Sequence, residues 1–462
     1  MTSIIPDLTS NENTVFSRID HFFIQNSFSK LLKRSNFYKE SGVPCVTILK
    51  ELFTLVFTGK NLFRTLEMKP EELSFRKNTA YRFLNSGHYN WSKLLLLLAT
   101  KIIAFVNSLT SDDRQSVLIF DDSLYSRSRS KKVELMTRVF DHTTHKYVKG
   151  FRMLTMGWSD GNTFLPIGFS LLSSQKPEKV LSPAKQLDKR TVAYKRRAMA
   201  VKSTTDVMID LLRSAANIPA KYVLFDSWFA HPKTILRVKQ EERDVICMVK
   251  VTEKIHYRHN GKWQPIQELR KLVGDVASAK TGIIGSVIVQ IRKEKNSQEF
   301  TDVRIVFVQD RTSKKWLALL STDLKLTEEE VVRIYSKRWD IEVFFKVCKS
   351  YLALAKEYQG RNYDAQVAAT SIVFLRYTML AVESRNTQDD RTIGELFYYY
   401  SDEMEDIKLS QALIMLIDTL RQVLNNLPVI SQDMTNMIMD TFLNTIPQSF
   451  KERLLIAARC LR

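Results

Sequence analysis

The sequence predicts an α/β protein, a mixed sheet flanked by helices with a β-rich stretch inserted between core strands. Three observations predict it. Two apolar runs, Val117–Phe120 and Tyr222–Phe225, read as short buried strands, and each ends directly in an aspartate. Two longer apolar runs, Phe151–Trp158 and Phe164–Leu172, flank Ser159-Asp160-Gly161-Asn162, and Asp-Gly between such runs signals a hairpin. Helical spacing fills the intervals and both ends of the chain.

In order, residues 1–115 read as helical. Ile48–Phe57 is an apolar segment interrupted by Lys50 and Glu51, and Asn78–Leu84 is a short basic helix. Leu94–Val106 forms a helix body with Ser92 as its cap. Such a module ahead of an α/β core serves either to grip DNA or to pack as a cap. After Val117–Phe120 and the hairpin, Thr204–Ala215 is helical through Val207, Ile209, Leu211 and Leu212. Tyr222–Phe225 follows as a strand. From Val245 to Val308, strand-like runs alternate with turns at His259-Asn260-Gly261 and Thr281-Gly282, and Trp316–Leu320 is a further strand. Thr327 caps a helix whose first turn holds Glu328, Glu329 and Glu330, as the helix dipole favours, and which runs to about Tyr351. The rest is helical, without internal repeats. The expected division is a helical N-terminal domain (1–115), an α/β domain (116–395, with a β-rich insertion at about 245–310) and a helical C-terminal domain (396–462).

Charge narrows the partner. The 462 residues include 69 Lys or Arg against 50 Asp or Glu, a net charge of +19 that favours a polyanion, nucleic acid before an anionic membrane. From Ser173 to Lys202, nine cations face two acids, 9 − 2 = +7, whereas Leu396–Arg462 sums to 6 − 8 = −2. The longest apolar run, Leu94–Ala99, is too short to span a bilayer, and its extension is broken by Lys101. The first residues lack the basic-then-apolar order of a signal peptide. Cys45, Cys247, Cys348 and Cys460 lie far apart, which excludes a disulfide framework and points to a reducing cytosol.

Three acids stand out by position. Asp121 and Asp226 each end an apolar strand, and Glu342 lies on the helix after Thr327. Each aspartate alone reads as a strand-end turn residue. Together the three can converge on one site, where mutual repulsion calls for a cation, and Mg²⁺ prefers such oxygen donors. Two ions would clamp the attacking and leaving oxygens of a phosphodiester displacement. On a continuous helix Tyr335, Arg338, Glu342 and Lys349 fall at about 0°, 300°, 340° and 320°, with Lys346 at about 20°. A solvated Arg338–Glu342–Lys346 salt-bridge face would look the same. A metal-binding Glu342 among phosphate-binding cations also accounts for Trp339 and Tyr335 on that face.

The spacing Tyr335-x2-Arg338-x3-Glu342-x6-Lys349 resembles the Y-x2-R-x3-E-x6-K signature of DDE transposases of insertion sequence family 4. Tyr335–Lys346 as a whole, Phe225-Asp226-Ser227-Trp228-Phe229 and Asp121-Asp122-Ser123 are similar to that family's other motifs, Ser123 replacing its Thr. Asp121 aligns as the first acid, with Asp122 the alternative. The resemblance covers about Ser116–Tyr351. It implies an RNase H-like core and cut-and-paste transposition through a hairpin intermediate. Asp121, Asp226 and Glu342 would be the catalytic metal ligands for Mg²⁺ (or Mn²⁺). Tyr335, Arg338 and Lys349 would hold phosphates. The implied partners are double-stranded DNA, as terminal inverted repeats and target, and a second copy in a synaptic homodimer, in a bacterial, nucleoid-associated cytoplasmic setting. The alternatives are an RNase H-like structure-specific nuclease and a non-catalytic DNA-binding regulator derived from a transposase.

Further cations are read as DNA contacts. They are Lys346, the basic stretch with Arg190, Arg196 and Arg197, and Arg127, Arg129, Lys131 and Lys132 after the first acid. Trp263 in the insertion reads as packed in a small β-core, with base stacking as its alternative. His142 and His145 read as a surface turn, and Cys348 as core. No P-loop occurs, which argues against NTP-driven work.

Overall fold

The computed structural model describes residues 17–451 apart from 69–72, 110–113, 142, 275–276, 279–280, 295, 310–314, 359, 387–391 and 428–429. Six helices come first: α1 (Arg18–Gln25), α2 (Phe28–Arg34), α3 (Cys45–Thr54), α4 (Leu62–Met68), α5 (Lys77–Leu84) and α6 (Trp91–Ser108). Asn90, not Ser92, caps α6, its side chain accepting from the Lys93 amide at 3.0 Å.

The sheet begins with β1 (Val117–Ser126), β2 (Thr137–Asp141), β3 (Lys146–Ser159) and β4 (Phe164–Leu172). Helices α7 (Val192–Ala200) and α8 (Thr204–Ser214) lead to β5 (Tyr222–Phe225), α9 (Pro232–Gln240) and β6 (Asp244–Met248). Then come β7 (His256–His259), β8 (Lys262–Pro265), α10 (Ile266–Arg270), β9 (Ile283–Ile291), β10 (Thr301–Gln309) and β11 (Trp316–Ser321). The last described elements are α11 (Glu328–Ser336), α12 (Trp339–Ser350), α13 (Tyr363–Asn386), α14 (Ile393–Asn425) and α15 (Gln432–Thr445).

All eleven strands of the described residues join one sheet, ordered β2-β3-β1-β5-β6-β11-β10-β9-β7-β8, with β4 paired to β3. β1, β3 and β4 are antiparallel neighbours, whereas β1, β5 and β6 run parallel, joined by helical crossovers. The α/β expectation therefore stands as a mixed sheet with many helices.

Four local readings change. β1 does not stop at Asp121, because β3 pairs with it as far as Ser126↔Gly150. β2 is hidden in the sequence by the charges around it. β6, read as the start of the inserted stretch, pairs in parallel with β5, and β9–β11 extend the same sheet. The helix from Thr327 is two helices, broken at Lys337–Arg338 by short i→i+3 turns. The β7–β8 turn at His259-Asn260-Gly261 holds as read. Asn260 and Gly261 take left-handed φ of 48° and 78°, the pattern of a tight two-residue hairpin turn.

One apolar core runs from Ile19 in α1 to Tyr400 in α14, and Ile417, Leu424 and Met439 form a separate small cluster between α14 and α15. α6 and α13 are long and apolar enough to cross a membrane, although scattered polar residues keep their uninterrupted apolar runs short. In α13, 94% of that apolar window is buried inside the protein, as in the core helix of a folded domain. Arg376 of α13 is fully buried. It pairs with Glu357 and donates to the Leu52 and Phe53 carbonyls at the end of α3, fastening the N-terminal helices to the core.

Candidate active site

Parallel pairing sets two of the three acids side by side. The register is Val117↔Tyr222, Leu118↔Val223 and Ile119↔Leu224. The same offset, 224 − 119 = 226 − 121, carries Asp121 level with Asp226 where β5 ends. There the chain turns. The Asp226 carboxylate accepts from the Trp228 amide at 3.0 Å and its carbonyl from the Phe229 amide at 3.3 Å. Burial pushes Asp121 up to about 7, and the negative charge of Asp226 adds to the effect while Arg338 opposes it. Asp226 is raised as well, by burial first, with Glu342 pushing the same way. Arg338 is the nearby cation whose charge lowers both aspartates, and burial outweighs it at each.

α12 carries the third acid. It buries Ile341, Phe344, Phe345, Val347 and Cys348, leaving Glu342 at the edge of the buried face. Phe344 lies 5.1 Å from Phe164 of β4 and 4.7 Å from Tyr377 of α13, ring to ring. The Phe164 ring fits because residue 157 is glycine, where a Cβ would lie 2.1 Å from it. The α11–α12 joint is pinned to the β3–β4 turn. Lys337 Nζ donates to the Gln115 and Asp160 carbonyls, and the Ser159 hydroxyl donates to Asp340 at 2.5 Å.

That joint presents Arg338, whose side chain is 15% exposed. Its guanidinium donates to Asp121 Oδ2 at 3.1 Å and also to Glu342 Oε1. Tyr335, one turn earlier, has a buried hydroxyl without a hydrogen-bond partner among the described residues. Burial raises its pKa, with the charges of Asp226 and Asp121 adding to the rise, so it remains a proton donor beside them. Asp122 is drawn elsewhere: Arg152 pairs with it at 2.8 Å.

The remaining expected site residues separate into two groups. Lys346 and Lys349 are exposed on α12, Lys349 with its ammonium 6.0 Å from the Phe345 ring centre. Arg190 is exposed and paired with Asp188 at 2.7 Å. Arg197 is interior, 4% exposed, and holds Glu134 at 2.6 Å and Asp364 at 2.7 Å. Arg196 pairs with Asp364 at 3.0 Å and donates to the Tyr89 carbonyl. Neither reaches the acids nor presents a free cation, because α7 turns this part of the basic stretch inward onto two carboxylates. Arg127 likewise donates to the Ala355 and Tyr358 carbonyls. Trp263 is covered by Arg292, 4.2 Å from its ring centre, and lies 6.2 Å from Phe300. His142 lies outside the described residues. Cys348 is buried.

One neighbour was given no role from the sequence. Trp228, two residues past Asp226, is 58% exposed, with the Arg152 guanidinium 5.1 Å from its ring centre. An aromatic directly beyond a strand-end acid was the available signal.

Among the described residues, no three His, Cys, Asp or Glu are drawn close enough to hold a metal ion. Here Arg338 bridges Asp121 and Glu342. The donor set itself suits a hard divalent cation: oxygen ligands only, two level carboxylates short of positive charge, and an orphaned hydroxyl beside them.

Residues 55–272 match the family described as DDE superfamily endonuclease, and residues 190–379 match the transposase DDE domain. The first match contains Asp121 and Asp226, and the second contains Asp226 and Glu342. Together they support a DDE transposase, a class of nuclease that acts on DNA. No curated protein matches the chain.

Proposed function

We propose that this protein is a transposase of the insertion sequence family 4 kind, which cleaves transposon ends and joins them to target DNA through a hairpin intermediate. One observation carries the reading. The parallel register of β1 and β5, carried two residues on, brings Asp121 level with Asp226 just past β5, and Arg338 ties Asp121 to Glu342. The strand order β4-β3-β1-β5-β6, with its antiparallel and parallel halves, supports an RNase H-like core. In this reading residues 1–115 form a DNA-binding domain, 116–395 the catalytic domain and 396–462 a helical C-terminal domain.

Asp121, Asp226 and Glu342 would hold Mg²⁺, or Mn²⁺ in its place. Bound metal supplies a lowered pKa for the attacking oxygen and offsets charge on the leaving oxygen. The pairing of Asp122 with Arg152 at 2.8 Å supports Asp121 as the first ligand. Arg338 changes partner in this scheme. Without DNA its guanidinium satisfies Asp121 and Glu342, and with DNA it turns its donors to a phosphate of the end, freeing both carboxylates. Tyr335 offers its unpartnered hydroxyl to the same phosphate. Lys346 and Lys349 hold flanking phosphates from α12. A second copy holds the other end in a synaptic dimer.

The test is a cleavage and strand-transfer assay with Mg²⁺ on duplexes carrying the element's terminal inverted repeats. The reading expects hairpin-capped ends on a denaturing gel, followed by joined products. Open nicked ends that never join to target would instead identify a nuclease.

A further inference from the structure

A groove of about 1580 Å³ opens at Asp122, the neighbour of Asp121, and is larger than small-ligand clefts of roughly 300–1,000 Å³. The segment between β1 and β2 forms one wall, and the chain between α12 and α13 forms the other. Eight Lys or Arg line it against two acids, Asp122 and Asp141. Both acids are engaged, Asp122 by Arg152 at 2.8 Å and Asp141 by the Thr143 amide and the Thr144 hydroxyl, each at 2.9 Å. Arg129, Lys131 and Lys132 on one wall, and Lys349 and Arg361 on the other, form no ion pair with any described residue. Opposed walls of unneutralised cations are costly unless a polyanion lies between them.

The walls are fixed before any ligand arrives. Arg127 reaches across from the first to donate to the Ala355 and Tyr358 carbonyls of the second, at 3.1 and 3.4 Å. Rings accompany the cations. Phe140 lines the groove and packs against the 68% exposed Tyr147 at 5.2 Å. Arg152, another lining residue, lies over Trp228, which follows Asp226. A cationic channel edged by exposed rings suits a strand whose base faces are free, whereas duplex stacking hides those faces.

We propose that this groove binds one unpaired DNA strand and guides it to or from the carboxylates. The proposal rests on the transposase reading for its ligand, yet strand binding needs no catalysis, so the two can fail separately.

The test uses full-length protein in EDTA and a fluorescein-labelled oligonucleotide of about 12 nucleotides, single-stranded or annealed. Arg129→Gln/Lys131→Gln/Lys132→Gln should weaken single-strand binding by about tenfold or more. Its salt slope should fall by about 2, as three lost phosphate contacts require, with duplex affinity changed far less. A smaller loss for the single strand, or an equal loss for duplex, overturns the proposal. Should the triple variant unfold, an iodouracil-substituted single strand crosslinked to the wild type decides the matter. Crosslinks to Phe140, Tyr147, Tyr358 or Trp228 support the groove, and crosslinks confined to residues outside its walls and these rings overturn it. Asp226→Ala, tested in parallel, should keep wild-type strand binding whether or not it cleaves.

Discussion

Arg338 donates to Asp121 at 3.1 Å while holding Glu342 with the same guanidinium, so one cation satisfies acids from the sheet and from α12. Asp226, level with Asp121, forms no ion pair among the described residues, and the charge that opposes its burial is that of the more distant Arg338. The site is therefore short of positive charge on one side, and that imbalance underlies the predictions that follow.

Arg338→Met should lower DNA cleavage by about 100-fold, the usual effect of removing a charged donor to a reacting phosphate. It should also raise the Asp121 pKa further, since Arg338 is what holds it down. A pH titration of the Asp121 carboxyl by NMR, alongside single-turnover cleavage, checks both parts.

The pH dependence has a definite sign. Asp121 sits at about 7 in the folded protein against an ordinary value near 3.8. A carboxyl raised by folding stabilises the native state fully below its unfolded value and loses that contribution as pH rises through the folded value. Metal-free protein should lose this contribution between about pH 4 and 7. Metal binding, which needs the carboxylate, should strengthen over the same window and release a proton. Mn²⁺ titration calorimetry in buffers of different ionisation heat measures that release.

Tyr335→Phe removes a buried hydroxyl that bonds nothing, so thermal stability should hold or rise slightly. Cleavage should fall by about tenfold if that hydroxyl meets a phosphate, an effect near 1.4 kcal/mol. Comparing Tm with the cleavage rate separates the two roles.

Arg197→Ala should act on folding. Removing one member of a buried ion pair typically costs about 3–5 kcal/mol, and here Glu134 and Asp364 would both be left uncompensated. Arg190→Ala, at a 91% exposed side chain, should leave Tm unchanged. Chemical denaturation of both variants checks the contrast.

These residues also mark what a sequence can disclose. Asp121 and Asp226 were legible because an acid directly after four apolar positions is rare in a buried strand, and parallel pairing then brings the two level. Glu342 was legible from its spacing to Tyr335 and Arg338, although the helix assumed for that spacing is broken at Lys337–Arg338. The break serves the geometry, since Lys337 and Asp340 anchor the joint on the β3–β4 turn. The inward placement of Arg196 and Arg197 was not legible, because charge density carries no information about direction. Their partners Glu134 and Asp364 lie far off in the chain. β6 was taken for inserted sequence because its place beside β5 depends on pairing between distant segments.

The central claim is that Asp121, Asp226 and Glu342 act as one metal-dependent cleavage centre. Asp226→Asn tests it most directly, because Asp226 forms no ion pair that its loss would break among the described residues. With Mg²⁺ and a labelled transposon-end duplex, the account predicts wild-type end binding and no detectable cleavage. Cleavage at the wild-type rate by a folded Asp226→Asn protein would contradict it.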